Sequence, residues 1–401
     1  MSLNRFWNIL RFIRLDNQNT RTKRLQSDKA AAIRDVWLML NQNLVKKYRP
    51  TENLTVDEQL FPYRGRTRFT QYISSKPAKY GIKVWWVCDA KNFYPLIGQI
   101  FTGKTGTSRE INQGERVVKY LVITYKNSGR NITMDNFFTS LPLAKHLLSW
   151  NLTIVGTLKR NKCYIPQEMA PCKSRQVLSS LFGFHDEVTI CSYVPKKKKA
   201  VTLISTFHHD ATITEMKEKP EIVQFYNETK SGVDEMDKLL RRYTTQRRTN
   251  RWPLALFFNI VDIAALAAYI IYMANNDMLN RRTSDRRLFL RSLGEELSLP
   301  AIEDRALNVQ AMRHFSARSG VEGILKKSLI VPNVSENSGS TSQPPPRDAT
   351  GRKKVVGVCK MCFAAPEKRR GKTRKACQTC KNPVCDEHSY TFCRCKDCPN
   401  M

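Results

Sequence analysis

The segments LTVDEQL, residues 54–60, and RNITMD, residues 130–135, decide the fold of this chain. Each is a run of β-branched and apolar residues that carries an aspartate, Asp57 in the first and Asp135 in the second. Such runs, bounded by Pro and Gly, predict strands. A carboxylate inside or at the end of an apolar strand is costly to bury unless it binds a cation. The two segments therefore predict a sheet that presents acidic side chains.

The rest of the chain alternates between strand and helix patterns, which predicts an α/β fold with a mixed sheet. Further strands are predicted at 69–74, 82–90, 120–125 and 152–158, and helices at 29–48, 139–150, 232–243 and 251–275. The segment 163–222 looks irregular, and residues 333–351, rich in Ser, Gly, Pro and Asn, predict a linker.

A third acidic group lies on one of the predicted helices. Asp234 and Asp237 are three residues apart, so both can face one site. Carboxylate oxygens suit Mg²⁺ or Mn²⁺, and two such ions about 4 Å apart would serve phosphodiester chemistry. Spacing alone leaves caps, turns and salt bridges as the competing interpretation.

The charge of the chain points to a polyanionic partner. There are 67 Lys and Arg against 35 Asp and Glu, a net charge of +32. Such an excess favours nucleic acid through counterion release. A ribosomal-type or merely soluble basic protein and an anionic membrane surface are the alternatives.

The apolar stretch Pro253–Met273 is long enough to cross a membrane. It contains Asn259 and Asp262, which are costly in hydrocarbon. A buried helix of a large protein explains it equally well.

The C-terminal tail contains eight of the twelve cysteines, a clustering that predicts zinc binding. The candidate ligands are Cys359, Cys362, Cys377, Cys380, Cys385, His388, Cys393, Cys395 and Cys398. Eight ligands suffice for two tetrahedral Zn²⁺ ions. An interleaved arrangement puts the first and third pairs, Cys359 with Cys362 and Cys385 with His388, on one ion. A redox or free-thiol cluster is the alternative.

Six segments, in order, resemble the signature segments of the piggyBac transposase family. They are LTVDEQLFPYRGR (54–66), KPAKYGIKVWWVCDA (76–90), RNITMDNFFTSLPLAKHLL (130–148), LTIVGTLKRNK (152–162), YNETKSGVDEMDKL (226–239) and RRTNRWPLALFFNIVDIAALAAYIIY (247–272). Residues 1–290 share the resemblance, which resumes in the Cys-rich tail.

The resemblance implies an RNase H-like catalytic core with a triad of carboxylates. Asp57, Asp135 and Asp234 match the triad and would hold two Mg²⁺ or Mn²⁺ ions, and Asp237 matches a further aspartate close to the metal site. The residues expected to contact DNA are Lys159, Lys162, Arg251 and Trp252.

The resemblance also implies a domain order. Residues 1–52 match the end of the first half of a split helical dimerisation and DNA-binding domain, and 245–325 match its second half. The catalytic core would comprise 53–162 and 223–244, interrupted by an insertion subdomain at 163–222. A linker at 326–354 would lead to a cross-brace zinc domain at 355–401. In the family, Cys393 rather than Cys395 stands at the expected distance after the histidine, so one of the last three cysteines is expected to be spare.

The expected function is cut-and-paste DNA transposition. The expected partners are double-stranded DNA, as transposon ends and as TTAA target, and a second copy of the chain, without a membrane; the expected compartment is the nucleus. Family members normally carry a long region before the position that matches residue 1, so a truncated or domesticated protein that binds DNA or chromatin without cutting it is the alternative. A RING-like ubiquitin ligase is a third and weaker interpretation of the tail.

Overall fold

The structure, a computed structural model, describes residues 2–103, 110–169, 175–214, 218–276, 284–329, 357–364, 372–377, 380 and 382–390. The chain divides into two compact units, residues 2–291 and residues 292–401. The predicted linker at 326–354 lies mostly outside the described residues.

A mixed sheet of nine strands is the centre of the first unit. Its strand order is β2-β3-β1-β5-β6-β9-β8-β7, and β4 pairs with β3 beside this path. The strands are β1 (Asn53–Pro62), β2 (Thr70–Tyr72), β3 (Tyr80–Asp89), β4 (Pro95–Ile100), β5 (Asn131–Met134), β6 (Thr153–Thr157), β7 (Ser180–His185), β8 (Val188–Lys196) and β9 (Lys199–Ser205). Short two-stranded pairs are β10 (Ile213–Thr214) with β11 (Lys219–Pro220), and β12 (Gly357–Val358) with β13 (Lys372–Thr373).

Helices pack on the sheet within the first unit, and helices also make up most of the described second unit. They are α1 (Leu3–Phe12), α2 (Gln18–Leu25), α3 (Arg34–Lys47), α4 (Gln113–Val122), α5 (Leu141–Leu148), α6 (Glu221–Thr229), α7 (Gly232–Arg242), α8 (Trp252–Asn275), α9 (Asp285–Ala306), α10 (Val309–Met312), α11 (Phe315–Leu325) and α12 (Lys360–Ala364). The α/β fold class, a mixed sheet with helices, is therefore confirmed.

The central strands run both parallel and antiparallel. β1 pairs in parallel with β5 and in antiparallel with β3. β5 pairs in parallel with β6, and β9 returns antiparallel to β6. Most apolar residues of β1 and β3 are buried, including Trp85 and Trp86. The strand order places the two acidic segments, in β1 and at the end of β5, in the middle of the sheet.

Two predictions of local structure are wrong. Residues 120–125, predicted as a strand, belong to α4 and a following 3-10 turn. Val117, Val118 and Leu121 are buried at helical spacing, and Glu115 forms an ion pair with Lys119 one turn later, 2.7 Å apart. The helical period of the longer segment thus outweighs the strand preference of its β-branched residues. The segment 163–222, predicted as irregular, contributes β7, β8 and β9 to the main sheet.

α7 lies very close to β1. A Cβ atom on Gly232 would stand 2.6 Å from Thr55 Oγ1 and 2.9 Å from Thr55 Cβ. The absence of a side chain at the start of this helix lets its first turn approach the strand.

α8 is the one helix among the described residues with the length and composition of a membrane span. Its polar residues have partners inside the protein, because Asp262 accepts hydrogen bonds from Thr244 Oγ1 (2.6 Å) and from the Thr245 amide (2.8 Å). Twelve residues of the helix are buried. Packing within the first unit therefore accounts for its apolar composition.

Candidate active site and zinc cluster

A threonine at the end of α6 binds both central parallel strands. Thr55 Oγ1 on β1 donates to the Thr229 carbonyl at 2.6 Å. Thr133 Oγ1 on β5 lies 2.7 Å from Thr229 Oγ1. Thr55 and Thr133 are paired in the parallel register, so one residue holds two strands at the same level.

The same register places two of the predicted catalytic aspartates side by side. Val56 pairs with Met134, and Asp57 and Asp135 each follow directly. Side chains alternate between the faces of a strand, so Asp57 shares a face with Thr55. Asp135 comes just after β5, where its Oδ1 accepts the Phe137 amide at 2.9 Å. The aspartates therefore follow the two threonines toward the side of the sheet covered by α6 and α7.

Asp234 reaches this neighbourhood from the first turn of α7. Its side chain is 62% exposed, and its Oδ1 lies 3.0 Å from Lys76 Nζ. The same ammonium lies 3.7 Å from Glu58 Oε1, next to Asp57. One lysine thus connects the carboxylate of α7 with the acidic stretch of β1.

Asp237 belongs to a buried polar network. Gln59 Nε2 donates to Asp237 Oδ1 at 3.0 Å, and Trp86 Nε1 donates to Gln59 Oε1 at 3.1 Å. Asn259 on α8 donates to the same Gln59 oxygen at 3.3 Å. Arg241, one turn along α7, lies 3.1 Å from the other Asp237 oxygen. Asp237 therefore fixes α7 on the sheet.

Burial makes these carboxylates resist ionisation. Burial raises the pKa of Asp57 well above its ordinary value, the charge of Glu58 raises this pKa further, and Lys76 opposes both effects. Burial raises the pKa of Asp135 despite the hydrogen bond from Phe137. Burial also raises the pKa of Asp237, against the hydrogen bond from Gln59. Clustered acids with raised pKa values are typical of functional sites.

The donor set fits a hard divalent cation. Asp57, Asp135 and Asp234 offer carboxylate oxygens, which are the ligands that Mg²⁺ and Mn²⁺ prefer. A cation beside Asp57 and Asp135 would favour the ionised forms that burial opposes. In donor chemistry, these residues therefore suit the metal that the sequence predicts.

The predicted basic residues Lys159 and Lys162 lie close to this site. The Lys159 ammonium is 5.6 Å from the centre of the Phe137 ring, two residues beyond Asp135. Lys159 and Arg160 line a cleft of about 500 Å³ together with Asn136. Lys162 lines a second cleft beside it, also with Arg160.

Arg251 and Trp252 make contacts within the chain. The Arg251 guanidinium donates to the carbonyls of Leu10 and Arg11 at 3.1 Å, at the C-terminal end of α1. Trp252 packs edge-on against Phe69, with ring centres 5.2 Å apart. Both residues thus hold elements together, and their predicted role in DNA binding stays a prediction.

Four side chains in the tail lie close enough together to hold one metal ion. The ligand atoms of Cys359, Cys362, Cys385 and His388 all lie within 4.8 Å of one another. His388 Nδ1 is 3.1 Å from Cys385 Sγ and 3.5 Å from Cys362 Sγ. Burial raises the pKa of the Cys359 thiol, but backbone N–H groups of Cys362, Cys385 and Met361 lower it to about 6. Thiolate and imidazole at these separations suit Zn²⁺.

These four are the first and third pairs of the interleaved arrangement. The second pair also belongs to this region, because the Asn382 carbonyl accepts the Cys377 amide at 2.8 Å and Asn382 Nδ2 is 3.3 Å from Cys380 Sγ. Cys393, Cys395 and Cys398 lie outside the described residues. The second predicted zinc site therefore stays a prediction.

Comparison with known proteins supports the fold. A family model described as transposase IS4 matches residues 1–269. The cryo-EM structure of a piggyBac transposase synaptic complex with hairpin DNA is similar over 98% of this chain and 80% of that one, with a TM-score of 0.78 and 34% identity. The human piggyBac transposable element-derived proteins 3 and 2 are 25% and 24% identical over 271 and 267 residues.

The chain belongs to the piggyBac transposase family.

The two human relatives are longer proteins. The matches cover 58% and 61% of this chain but 43% and 45% of those relatives. This member of the family therefore spans less than half the length of either human protein.

Sequence reasoning missed several residues of this piggyBac-type site. Lys76 and Glu58 lie inside the segments that resemble the family, but no local sequence pattern marks them as site residues. Lys76, for example, contacts Asp234, which is 158 residues away in the chain. Thr229 is missed for the same reason. A repeated pattern was available, because both strands contain Thr-x-Asp, at 55–57 and 133–135.

We expect Asp57→Asn to raise the melting temperature of residues 2–291 at pH 7, by a few degrees, without added divalent metal. Folding raises the pKa of Asp57 above its ordinary 3.8, so ionisation of this group opposes folding. That cost is complete above the folded pKa and absent below about pH 3.8, where both states are protonated. The gain should therefore shrink as the pH falls. Thermal unfolding followed by tryptophan fluorescence measures it.

Asp186→Asn is the control, because it removes the same charge from a side chain that is 70% exposed. An Asp57→Asn chain that melts at or below the wild-type temperature at pH 7 would contradict the buried-charge account.

We expect Cys385→Ser to lower the zinc content of the full chain by one equivalent. The substitution removes one sulfur from the four-ligand set, and serine binds Zn²⁺ poorly. Elemental analysis of the purified protein measures the content. Cys163→Ser, at an exposed free cysteine, should leave it unchanged. Equal zinc in the wild type and the Cys385 variant would rule out this cluster as a zinc site.

Proposed function

We propose that this chain is a DNA transposase that uses divalent metal to cut and join DNA strands. The placement of the carboxylates on neighbouring elements carries the proposal: Asp57 and Asp135 follow paired positions of adjacent parallel strands, and Asp234 on α7 contacts Lys76, which also contacts Glu58 of β1. Burial opposes the ionisation of Asp57 and Asp135, which is energetically sensible where a cation is to be bound. Membership of a transposase family supports the same reaction class.

Asp57, Asp135 and Asp234 would hold two Mg²⁺ or Mn²⁺ ions. Such ions, when bound, activate the attacking oxygen and stabilise the leaving oxygen of a phosphodiester. The protein's own contribution is to orient the carboxylates. Thr229 sets the level of the two strand aspartates, and the network of Gln59 and Asp237 fixes the helix that carries Asp234.

Double-stranded DNA, as transposon ends and as target, is the proposed substrate. The net charge of +32 supplies the general attraction to phosphate. Lys159 and Arg160 provide a basic cleft beside Asn136, next to Asp135. Another cleft, of about 530 Å³ and separate from those lined by Lys159 and Lys162, is lined by Arg64, Arg247 and Arg248. The similar piggyBac structure is a complex with hairpin DNA, and TTAA targets are proposed from the family resemblance.

The assembly and the compartment are also proposals. A homodimer suits the pairing of two transposon ends in one complex, and the similar structure is described as synaptic. Nuclear localisation is supported by Lys196–Lys199, an exposed basic run at the tip of the β8–β9 hairpin.

The tail is proposed to bind two zinc ions. The cluster of Cys359, Cys362, Cys385 and His388 supports the first ion. Zinc sites of this kind are structural and contribute to the folding of small domains. In this chain the tail would form a basic module for DNA.

A domesticated protein that binds DNA without cutting it is the second candidate. Both human relatives are named as derived from a transposable element. Retention of Asp57, Asp135, Asp234 and Asp237 favours the enzyme, because carboxylates on a DNA-binding face repel phosphate until metal is bound.

We expect Asp135→Asn to abolish Mg²⁺-dependent nicking while DNA binding stays the same or becomes slightly stronger. The asparagine oxygen can still accept the Phe137 amide, so the turn is retained while the charge that holds metal is lost. Nicking is measured on DNA that carries the native element's ends, and binding by a gel-shift titration at fixed salt. The loss of nicking should exceed a hundredfold, as for other removals of a principal electrostatic group.

Asp186→Asn, a surface substitution with the same loss of charge, should nick like the wild type. Equal nicking by the wild type and Asp135→Asn would disprove the metal–aspartate mechanism. A wild type that binds the DNA tightly but does not nick it would favour the binding protein.

A further inference from the structure

Lys76 is held in a tight turn between β2 and β3. The Lys76 amide donates to the Ile73 carbonyl at 3.2 Å, and the Lys79 amide donates to the Lys76 carbonyl at 3.0 Å. The Lys76 side chain is 15% exposed, although lysine is usually a surface residue. The turn therefore directs this lysine inward, toward β1 and α7.

The Lys76 ammonium has three oxygen neighbours at the carboxylate site. It donates to the Glu58 carbonyl at 2.9 Å and to Asp234 Oδ1 at 3.0 Å. Glu58 Oε1 lies 3.7 Å away. An ammonium has three protons, so two of them are used in hydrogen bonds here, and the Glu58 carboxylate adds a charge contact.

Two kinds of cation therefore compete for the Asp234 carboxylate. In the proposed transposase it is a metal ligand, and in the structure one of its oxygens binds Lys76. A divalent ion on this carboxylate would stand within a few ångströms of the ammonium, and like charges at that range repel strongly in a partly buried site. The 62% exposure of Asp234 leaves the lysine room to withdraw toward solvent.

We infer that Lys76 is a positioning residue whose ammonium and a divalent metal ion exclude each other at Asp234. Lys76 holds the Asp234 carboxylate beside β1 until metal binds. Metal binding then releases the lysine toward solvent, on the side of the site where DNA is proposed to bind. The release adds a positive charge to the surface that faces phosphate at the moment the site becomes competent. This inference rests on the proposed metal-dependent function.

Acetylation of lysines in the full, zinc-loaded chain tests the exclusion directly. A brief pulse of an acetylating reagent is given with and without saturating Mn²⁺, and each lysine is quantified by mass spectrometry. We expect Mn²⁺ to raise the acetylation of Lys76 several-fold, because a released amine is exposed and reactive. Lys79 is the internal control, since it is exposed, lies in the same turn and should not respond.

Asp234→Asn is the matched variant. It removes the ion pair while keeping the size of the side chain, so Lys76 should react rapidly both with and without Mn²⁺. Mn²⁺ binding to Asp57 and Asp135 is followed by calorimetry, with Asp135→Asn as the reference that lacks one ligand.

The Lys76→Met substitution gives a second readout. It should tighten Mn²⁺ binding several-fold in calorimetry, because no ammonium competes for Asp234. Lys79→Met should leave Mn²⁺ binding unchanged although it removes the same charge. Weaker or unaltered binding by a folded Lys76→Met chain would overturn the inference.

The outcomes distinguish failure of the proposed function from failure of the Lys76–metal exclusion. A wild type that binds no Mn²⁺ by calorimetry overturns both the proposed function and the exclusion. A wild type that binds Mn²⁺ while Lys76 acetylation stays constant or falls overturns the exclusion alone. The acetylation arm uses the wild-type chain, so it decides the matter even where Lys76→Met fails to fold.

Discussion

The hydrogen bonds of Thr229 are the contacts on which the site depends. Its carbonyl accepts from Thr55 on β1, and its hydroxyl meets Thr133 on β5. The two strands are thereby held at one level against the junction of α6 and α7. In each segment an aspartate follows the threonine by two residues. Side chains two residues apart in a strand lie on the same face, so Asp57 and Asp135 are directed toward the side of the two threonines. Gly232 begins α7 three residues after Thr229, so the helix with Asp234 approaches the same place.

A second polar network secures the layers behind this site. Gln59 joins Trp86 on β3, Asp237 on α7 and Asn259 on α8. Each of these groups is buried, so an unmet hydrogen bond would be costly and the network favours one arrangement of sheet and helices. It also explains why an otherwise apolar helix contains an asparagine. Asp262 plays a similar part further along α8, where it holds Thr244 and Thr245.

The sequence was sufficient to predict the strands that carry Asp57 and Asp135 and the helix of Asp234, because each has a clear hydrophobic period. It failed at 120–125, where β-branched residues concealed a helix whose buried positions are spread over ten residues. It also failed at 180–205, where three strands with partly exposed faces lack a clean alternation. Lys76 and Thr229 act through contacts distant in the chain, which local patterns do not record. Arg251 has a further contact of this kind, since its guanidinium binds the end of α1, which its motif does not indicate.

The zinc cluster and the carboxylate site differ in how far sequence spacing specifies them. Four closely spaced cysteine and histidine pairs identify metal ligands almost without structure, because few other roles need them. Isolated aspartates have many roles, so the proposal that they are ligands rests on the strand register and the position of α7. The described tail residues agree with the interleaved pairing for the first ligand set.

The most direct measurement of the central claim is iron-mediated cleavage of the protein itself. Fe²⁺ in place of Mg²⁺, with ascorbate and peroxide, generates hydroxyl radicals that cut the backbone beside the bound ion. In the zinc-saturated chain the account predicts fragments that end near Asp57, Asp135 and Asp234, and their loss in Asp135→Asn. Cuts elsewhere, or the same fragments from the Asp135→Asn chain, would contradict a metal site built from these three carboxylates.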